Sequence, residues 1–321
     1  MFDLTNKKVT LIGGGTGNSV MLHSLRDICD NISVIVSVGD DGGSSGDIRR
    51  DFGTIPPGDI RNCLVALSDG ESNIVKMMDT RFTQGFLKKQ NLGNIMLTAL
   101  YEITGSYSQA IKEISRLMEC RGNVIPVTEQ PVNIKARYKN GNAVVGESRL
   151  AAYALRHKTS IDSISLVPDG AKMNVDCVKA VIEADLIVFS PGSLYTSLLP
   201  NLAVTGLAET IEKSAAEKVY LPNIMSEPGE TKGYTVSDFI SAVERHSYGH
   251  KIIDTVIYNT SPIPKVIEER YIKTGVGVVD TVFTDEYREK YRLIGAPIAR
   301  IEDGTVRHDG DSVWKAIEEE L

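Results

Sequence analysis

Short apolar runs alternate with amphipathic stretches along most of this chain. Residues 9–12 form an apolar, partly β-branched run that is broken by Gly13-Gly14-Gly15-Thr16-Gly17. Residues 19–28 then place Val20, Leu22, Leu25 and Ile28 at apolar positions, which predicts a helix. Residues 32–38 are β-branched and apolar again, and 39–46 is a polar, glycine-dense loop. Strand, helix and strand within about 30 residues make a βαβ unit, with parallel pairing and a right-handed crossover.

The alternation continues. Helices are predicted over 59–67, 94–103, 108–118, 175–183, 203–213 and 236–245. Strands are predicted over 123–128, 161–167, 186–189, 219–221 and 252–258. Two extended runs within 132–145 flank Asn140-Gly141, a type I′ hairpin signal. The expected fold is therefore α/β: Rossmann-like and doubly wound, with a mainly parallel sheet and helices on both faces. Small appended β elements are expected near 130–150 and 262–300. No repeat or low-complexity linker divides residues 1–321, so one α/β domain is expected.

Composition narrows the function classes. Apolar residues are 42% and charged residues 24%, ordinary values for a globular protein. The net charge of −7 argues against a duplex nucleic-acid binder, which needs a basic face. No run of about 18 apolar residues is present to span a membrane. The N-terminal sequence lacks a basic segment followed by a long apolar one, so no secretory signal is expected. Cys29, Cys63, Cys120 and Cys177 form no CxxC, which argues for reduced thiols in a cytosol. His246 and His250 are one helical turn apart, but Tyr248-Gly249 between them reads as a helix end. Trp314 is expected to pack as an anchor.

In an open α/β sheet, ligands bind outside the carboxyl ends of the strands. Four strand-end loops there are rich in groups that bind anions or metals. Gly13, Gly14, Gly15, Thr16 and Gly17 precede a helix, so bare N–H groups and the helix N-terminus could meet a phosphate. The run is not the dinucleotide fingerprint, because Asn18 stands where the third glycine belongs, and it is not a Walker A loop. Asp40 and Asp41 follow the second strand and could take ribose hydroxyls or hold Mg²⁺ beside a phosphate. Gly42, Gly43 and Ser44 add amides and a hydroxyl. Asp59 reads as an N-cap or first-turn acid. Arg61 in the same turn could reach a phosphate, although a solvated arginine is the simpler reading. Ser190, Gly192, Ser193 and Thr196 close the strand 186–189, and Asn223 follows 219–221 in the same manner.

Taken in order, these loops carry a resemblance. Gly13–Gly17, Asp40–Gly46, Pro57-Gly58-Asp59-Ile60-Arg61-Asn62, Ser190–Ser193 with Thr196-Ser197, Pro200-Asn201-Leu202 and Asn223–Ser226 together resemble the gluconeogenesis factor family of the YvcK type. That family is related to the CofD-like phospholactate transferases, which build a deazaflavin coenzyme. The match runs to about residue 231, with a compatible remainder. Family members often carry His-Ser shortly before a Gly-Asn pair. Here the stretch is Lys88-Lys89-Gln90-Asn91-Leu92-Gly93-Asn94, so Gly93 and Asn94 are kept and His-Ser is not.

The resemblance implies a cytoplasmic protein that binds a phosphorylated nucleotide ligand, notably a UDP-sugar such as UDP-N-acetylglucosamine. It further implies a role in cell shape and wall synthesis during gluconeogenic growth, a homodimer and regulatory protein partners. The implied ligand set is Gly13–Gly17, Asp40, Asp41, Gly42, Gly43, Ser44, Asp59, Arg61, Asn62, Asn94, Ser190, Gly192, Ser193, Thr196 and Asn223. No catalytic activity is implied for this branch, and no cofactor beyond Mg²⁺. The transferase branch moves a phospholactyl group from a guanylyl donor to a deazaflavin alcohol with Mg²⁺, and in that reading Asp40, Asp41 or Asp59 would be metal ligand or base. A nicotinamide-dependent oxidoreductase is the third reading, weakened by the misplaced glycine and by the lack of a proton donor.

Overall fold

The computed structural model describes residues 2–321. The first βαβ unit is β1 (Lys8–Gly13), α1 (Gly15–Leu25) and β2 (Asn31–Val36). Five helices follow: α2 (Gly43–Phe52), α3 (Gly58–Ala66), α4 (Asn73–Asp79), α5 (Leu92–Thr104) and α6 (Tyr107–Leu117). They lead to β3 (Asn123–Pro126), then β4 (Asn133–Tyr138), β5 (Ala143–Val145), α7 (Glu147–His157) and β6 (Ile161–Val167). Next come α8 (Val175–Ile182), β7 (Leu186–Phe189), a π-helical turn Leu194–Leu198, α9 (Leu199–Leu202), α10 (Leu207–Lys213) and β8 (Glu217–Tyr220). The chain closes with α11 (Val236–His246), β9 (Thr255–Asn259), α12 (Lys265–Lys273), α13 (Asp285–Lys290), β10 (Arg292–Ala296), β11 (Ala299–Glu302), β12 (Thr305–His308) and α14 (Gly310–Glu320).

The central sheet has seven strands in the order β10-β9-β8-β7-β1-β2-β3. Every pairing in it is parallel. Its direction reverses between β1 and β7, so this is the doubly wound Rossmann-like order with its switch point there. β7 shows why these strands sit at the centre. Leu186, Ile187, Val188 and Phe189 are all fully buried, the unbroken apolar run of a strand covered on both faces. Trp314 of α14 is 1% exposed and donates its indole N–H to the Met21 carbonyl at 3.0 Å, which pins the C-terminal helix to α1.

Several elements differ from the sequence expectation. The first helix starts at Gly15 rather than 19 and ends at Leu25, because the glycine run itself forms the first turn. The expected loop over 39–46 is a loop only to Gly42, and Gly43 opens α2. The strand at 161–167 lies outside the central sheet. It pairs antiparallel with β4 in a separate sheet ordered β5-β4-β6. Its alternating burial at Ile161, Ile164 and Leu166 marks one solvated face, as antiparallel sheets allow. The hairpin between β4 and β5 forms, but only Gly141 is left-handed, at φ 85°. Gly141 donates its N–H to the Tyr138 carbonyl at 2.9 Å, which makes a bulged three-residue loop instead of a type I′ turn. The stretch 262–300, expected as appended β structure, holds α12, α13 and β10. β10 extends the central sheet, and the separate ribbon is β11–β12.

Candidate functional site

The carboxyl ends of β1, β2, β7 and β8 bring the predicted loops to one edge of the sheet, around the switch point. The first contacts are made by glycine. A Cβ on Gly17 would lie 1.5 Å from the Pro191 carbonyl oxygen, and one on Gly15 would lie 2.4 Å from the Asp59 carboxylate. The glycine run thus lets the loops after β1 and β7 and the start of α3 touch backbone to backbone. Gly14 is the N-cap of α1, with no side chain capping the helix. The polar floor beneath is unsatisfied by protein. Both amide atoms of Asn18, the Ser190 hydroxyl and Oδ1 of Asn201 are buried without a partner. Such atoms are ordinarily completed by water or ligand.

The acids have distinct positions. Asp40 accepts the Gly42 N–H at 2.8 Å, and burial beside Asp41 raises its carboxyl above the ordinary range. Asp41 instead accepts the Ser148 N–H at 2.9 Å, which caps α7 from outside and ties the small sheet to the site. Asp59 lies in the first turn of α3, where burial and the nearby Asp40 push it up to about 6 despite the Gly15 N–H that it accepts. Glu147, at the start of α7, is pushed up to about 7 by burial and by Asp40 and Asp41. Glu230 is 8% exposed, and burial beside Glu227 raises it to about 7. Burial raises Glu227 as well.

The remaining predicted residues fall into three groups. Ser193 caps the π-helical turn: its Oγ accepts from Thr196 N–H at 3.2 Å and Thr196 Oγ1 at 2.7 Å, and it donates to Glu230. Such π turns occur often at functional sites. Gly192 donates its N–H to Asn223 Oδ1 at 3.2 Å, which links the β7 and β8 loops. In α2, Ser44 donates to Gln90 Oε1 at 2.8 Å and accepts from Asn94 Nδ2 at 3.2 Å. Gln90, which stands in the stretch where family members carry His-Ser, is thus held against α2. Arg61 is not solvated. It is 7% exposed and ion-pairs with Asp79 at 2.6 Å, while its Nε is buried without a partner. Asn62 faces a cavity of about 410 Å³ that Thr16, Ser19, His23, Arg300 and Arg307 also line.

Those two arginines escaped the sequence reading, as did Glu147. Each lies far along the chain from the loop motifs, and only the folded chain brings it to this edge. Arg300 and Arg307 are register partners across the β11–β12 ribbon. His308 anchors the ribbon: it is 7% exposed, bonds the Pro222 carbonyl at 3.1 Å and is pushed down to about 4 by burial. His246 is committed structurally. It accepts the Ile164 N–H at 3.1 Å and bonds the Ala242 carbonyl at 2.7 Å, while His250 pairs with Glu212. Among the described residues, no three His, Cys, Asp or Glu side chains form a metal-holding group. No helix among them is long and apolar enough to cross a membrane.

Comparison with known proteins identifies the family and the fold. The family model described as 2-phospho-L-lactate transferase CofD matches residues 9–298. The gluconeogenesis factor of Bacillus subtilis is 38% identical over 307 residues, covering 95% of each chain. That of Listeria innocua is 40% identical over 314 residues, covering 98% of this chain and 95% of that protein. A crystal structure of a Bacillus halodurans protein superposes with a TM-score of 0.93 at 36% identity, covering 98% of this chain and 99% of that one. The chain belongs to the CofD family, among its gluconeogenesis factors.

Proposed function

We propose that this protein binds a nucleotide-sugar of the UDP-N-acetylglucosamine kind at the carboxyl edge of the sheet. The observation that carries this reading is at α1. Its N-terminus has no capping side chain, and its Thr16 opens on the cavity that Arg300 and Arg307 line. A diphosphate needs such a helix end and such cations. The neighbouring carboxylates would repel it unaided. Asp40 and Asp59 are the pair that suits Mg²⁺, because Asp41 is committed to Ser148. Mg²⁺ commonly takes one or two carboxylates plus ligand phosphates, and bound there it would neutralise phosphate charge.

The relatives' names support a place in gluconeogenic growth; control of cell shape is proposed on the family resemblance alone. Four free thiols, three of them buried, support a reducing, cytoplasmic setting.

A second reading, a Mg²⁺-dependent transferase, is favoured by one observation. Asp59 and Glu147 are raised to about 6 and about 7, where a carboxylate serves well as a general base. Such a base would take the proton of an acceptor alcohol as its oxygen bonds phosphorus and the nucleotide leaves. Calorimetry against UDP-N-acetylglucosamine and GDP, with and without Mg²⁺, tests both readings. UDP-sugar binding with the ligand recovered intact supports the first. Preference for GDP with Mg²⁺ moves the assignment to the transferase, and binding of neither nucleotide overturns both.

A further inference from the structure

A second cavity on the same edge has a different chemistry. It encloses about 390 Å³ between the ends of β8 and β9 and the segment 278–281. That volume lies within the ordinary range for small-molecule pockets. Among the described residues, no Lys, Arg or His lines it, so it has nothing to offer a phosphate. Its polar side chains are the Asn223 and Asn259 amides, the Thr260, Ser261 and Thr281 hydroxyls and the Asp280 carboxylate. Tyr258 supplies an aromatic wall, held by Phe283 at 5.0 Å between ring centroids, and Val279 supplies an apolar one.

Hydroxyls, two amides, one carboxylate and an aromatic face without a cation suit a neutral polyol. The acceptors take its O–H groups, and the ring covers its C–H face. Asn223 connects this cavity to the phosphate loops, because its Oδ1 accepts the Gly192 N–H at 3.2 Å. A ligand whose diphosphate lies at the β1–β7 switch point and runs across β7 reaches this cavity next. The geometry points to this cavity as the subsite for the sugar ring of the bound nucleotide-sugar. The inference rests on the nucleotide-sugar reading above and adds the location and recognition of the sugar.

The test is calorimetry of UDP and UDP-N-acetylglucosamine against the full chain and two variants, Asp280→Ala and Thr281→Val. Both changes are at exposed positions, and melting curves check the fold. The wild type is expected to bind the sugar nucleotide at least tenfold tighter than UDP. Each variant is expected to lose most of that ratio while its UDP affinity stays within twofold. A ratio of one in the wild type, or an undiminished ratio in both variants, overturns the sugar subsite while nucleotide binding stands. Binding of neither probe overturns the nucleotide-sugar reading and this inference together.

Discussion

Gly17 stands directly over the Pro191 carbonyl oxygen, so close that a Cβ would lie 1.5 Å from it. The contact joins the first turn of α1 to the loop after β7, the two loops at the switch point. Gly17→Ala must push these loops apart, because the opposing atom is backbone. The expected cost is about 2–3 kcal/mol of stability, with loss of ligand binding. Gly43→Ala is the contrast, since nothing lies within 4 Å of a Cβ there, although its φ of +51° still carries strain. Urea denaturation of the two variants checks the order. Equal stabilities would show that the close contact does not constrain the site.

Asp59 makes the fold sensitive to pH. Its folded value of about 6 lies above the ordinary 3.8. Well below pH 3.8 it is protonated in both folded and unfolded chains and has no effect. As pH rises towards 6 the unfolded chain ionises first, so Asp59 costs stability, and the cost is constant above pH 6. Asp59→Asn keeps an acceptor for the Gly15 N–H without the charge. It is expected to stabilise the protein by about 3 kcal/mol at pH 8 and by under about 1 kcal/mol at pH 4. Mg²⁺ should stabilise the wild type more than this variant at pH 8. Thermal melts at both pH values decide, and an equal gain at pH 4 and pH 8 would be incompatible with a raised carboxyl.

Arg61 is a structural cation before it is anything else. Its side chain is 9% exposed, whereas that of its partner Asp79 is 67% exposed. Removing Asp79 leaves a buried guanidinium without its counter-charge, whereas removing Arg61 leaves a carboxylate that water can solvate. Asp79→Asn is expected to destabilise by about 3 kcal/mol by stranding that charge, and Arg61→Ala by about 2 kcal/mol through the lost packing of its buried stem. Chemical denaturation measures both. A fully stable Arg61→Ala that binds no nucleotide would return Arg61 to the role that its spacing implied.

Arg300 and Arg307 should supply the positive charge for the diphosphate. Arg307→Ala is expected to weaken UDP-N-acetylglucosamine binding about tenfold, or about 1.4 kcal/mol, with a larger loss in the double variant. Raising ionic strength should weaken the wild type and leave the double variant nearly unaffected. Titration calorimetry reads both effects, and unchanged affinity in Arg307→Ala would remove the ribbon from the phosphate site.

The strand runs at 9–12, 32–38 and 186–189 could be read directly, because a buried parallel strand is an unbroken apolar run of its own residues. The glycine-rich loops after them were legible for the same local reason, and together they pointed to the edge where they meet. The extent of the first helix was not legible, because a glycine run reads as a turn until Asp59 and Pro191 close over it. Asp40 and Asp41 are adjacent in sequence and looked like one site. Their separation into a member of the acid cluster and a cap for α7 depends on Ser148, which lies 107 residues away. Glu147, Arg300 and Arg307 have no motif, because their role is a position in space. Local sequence thus determined most of the strands, their order of types and the loops that gather at the carboxyl edge of the sheet. The tertiary structure alone decided which charges surround those loops, because burial and charge–charge distance are properties of the packed chain.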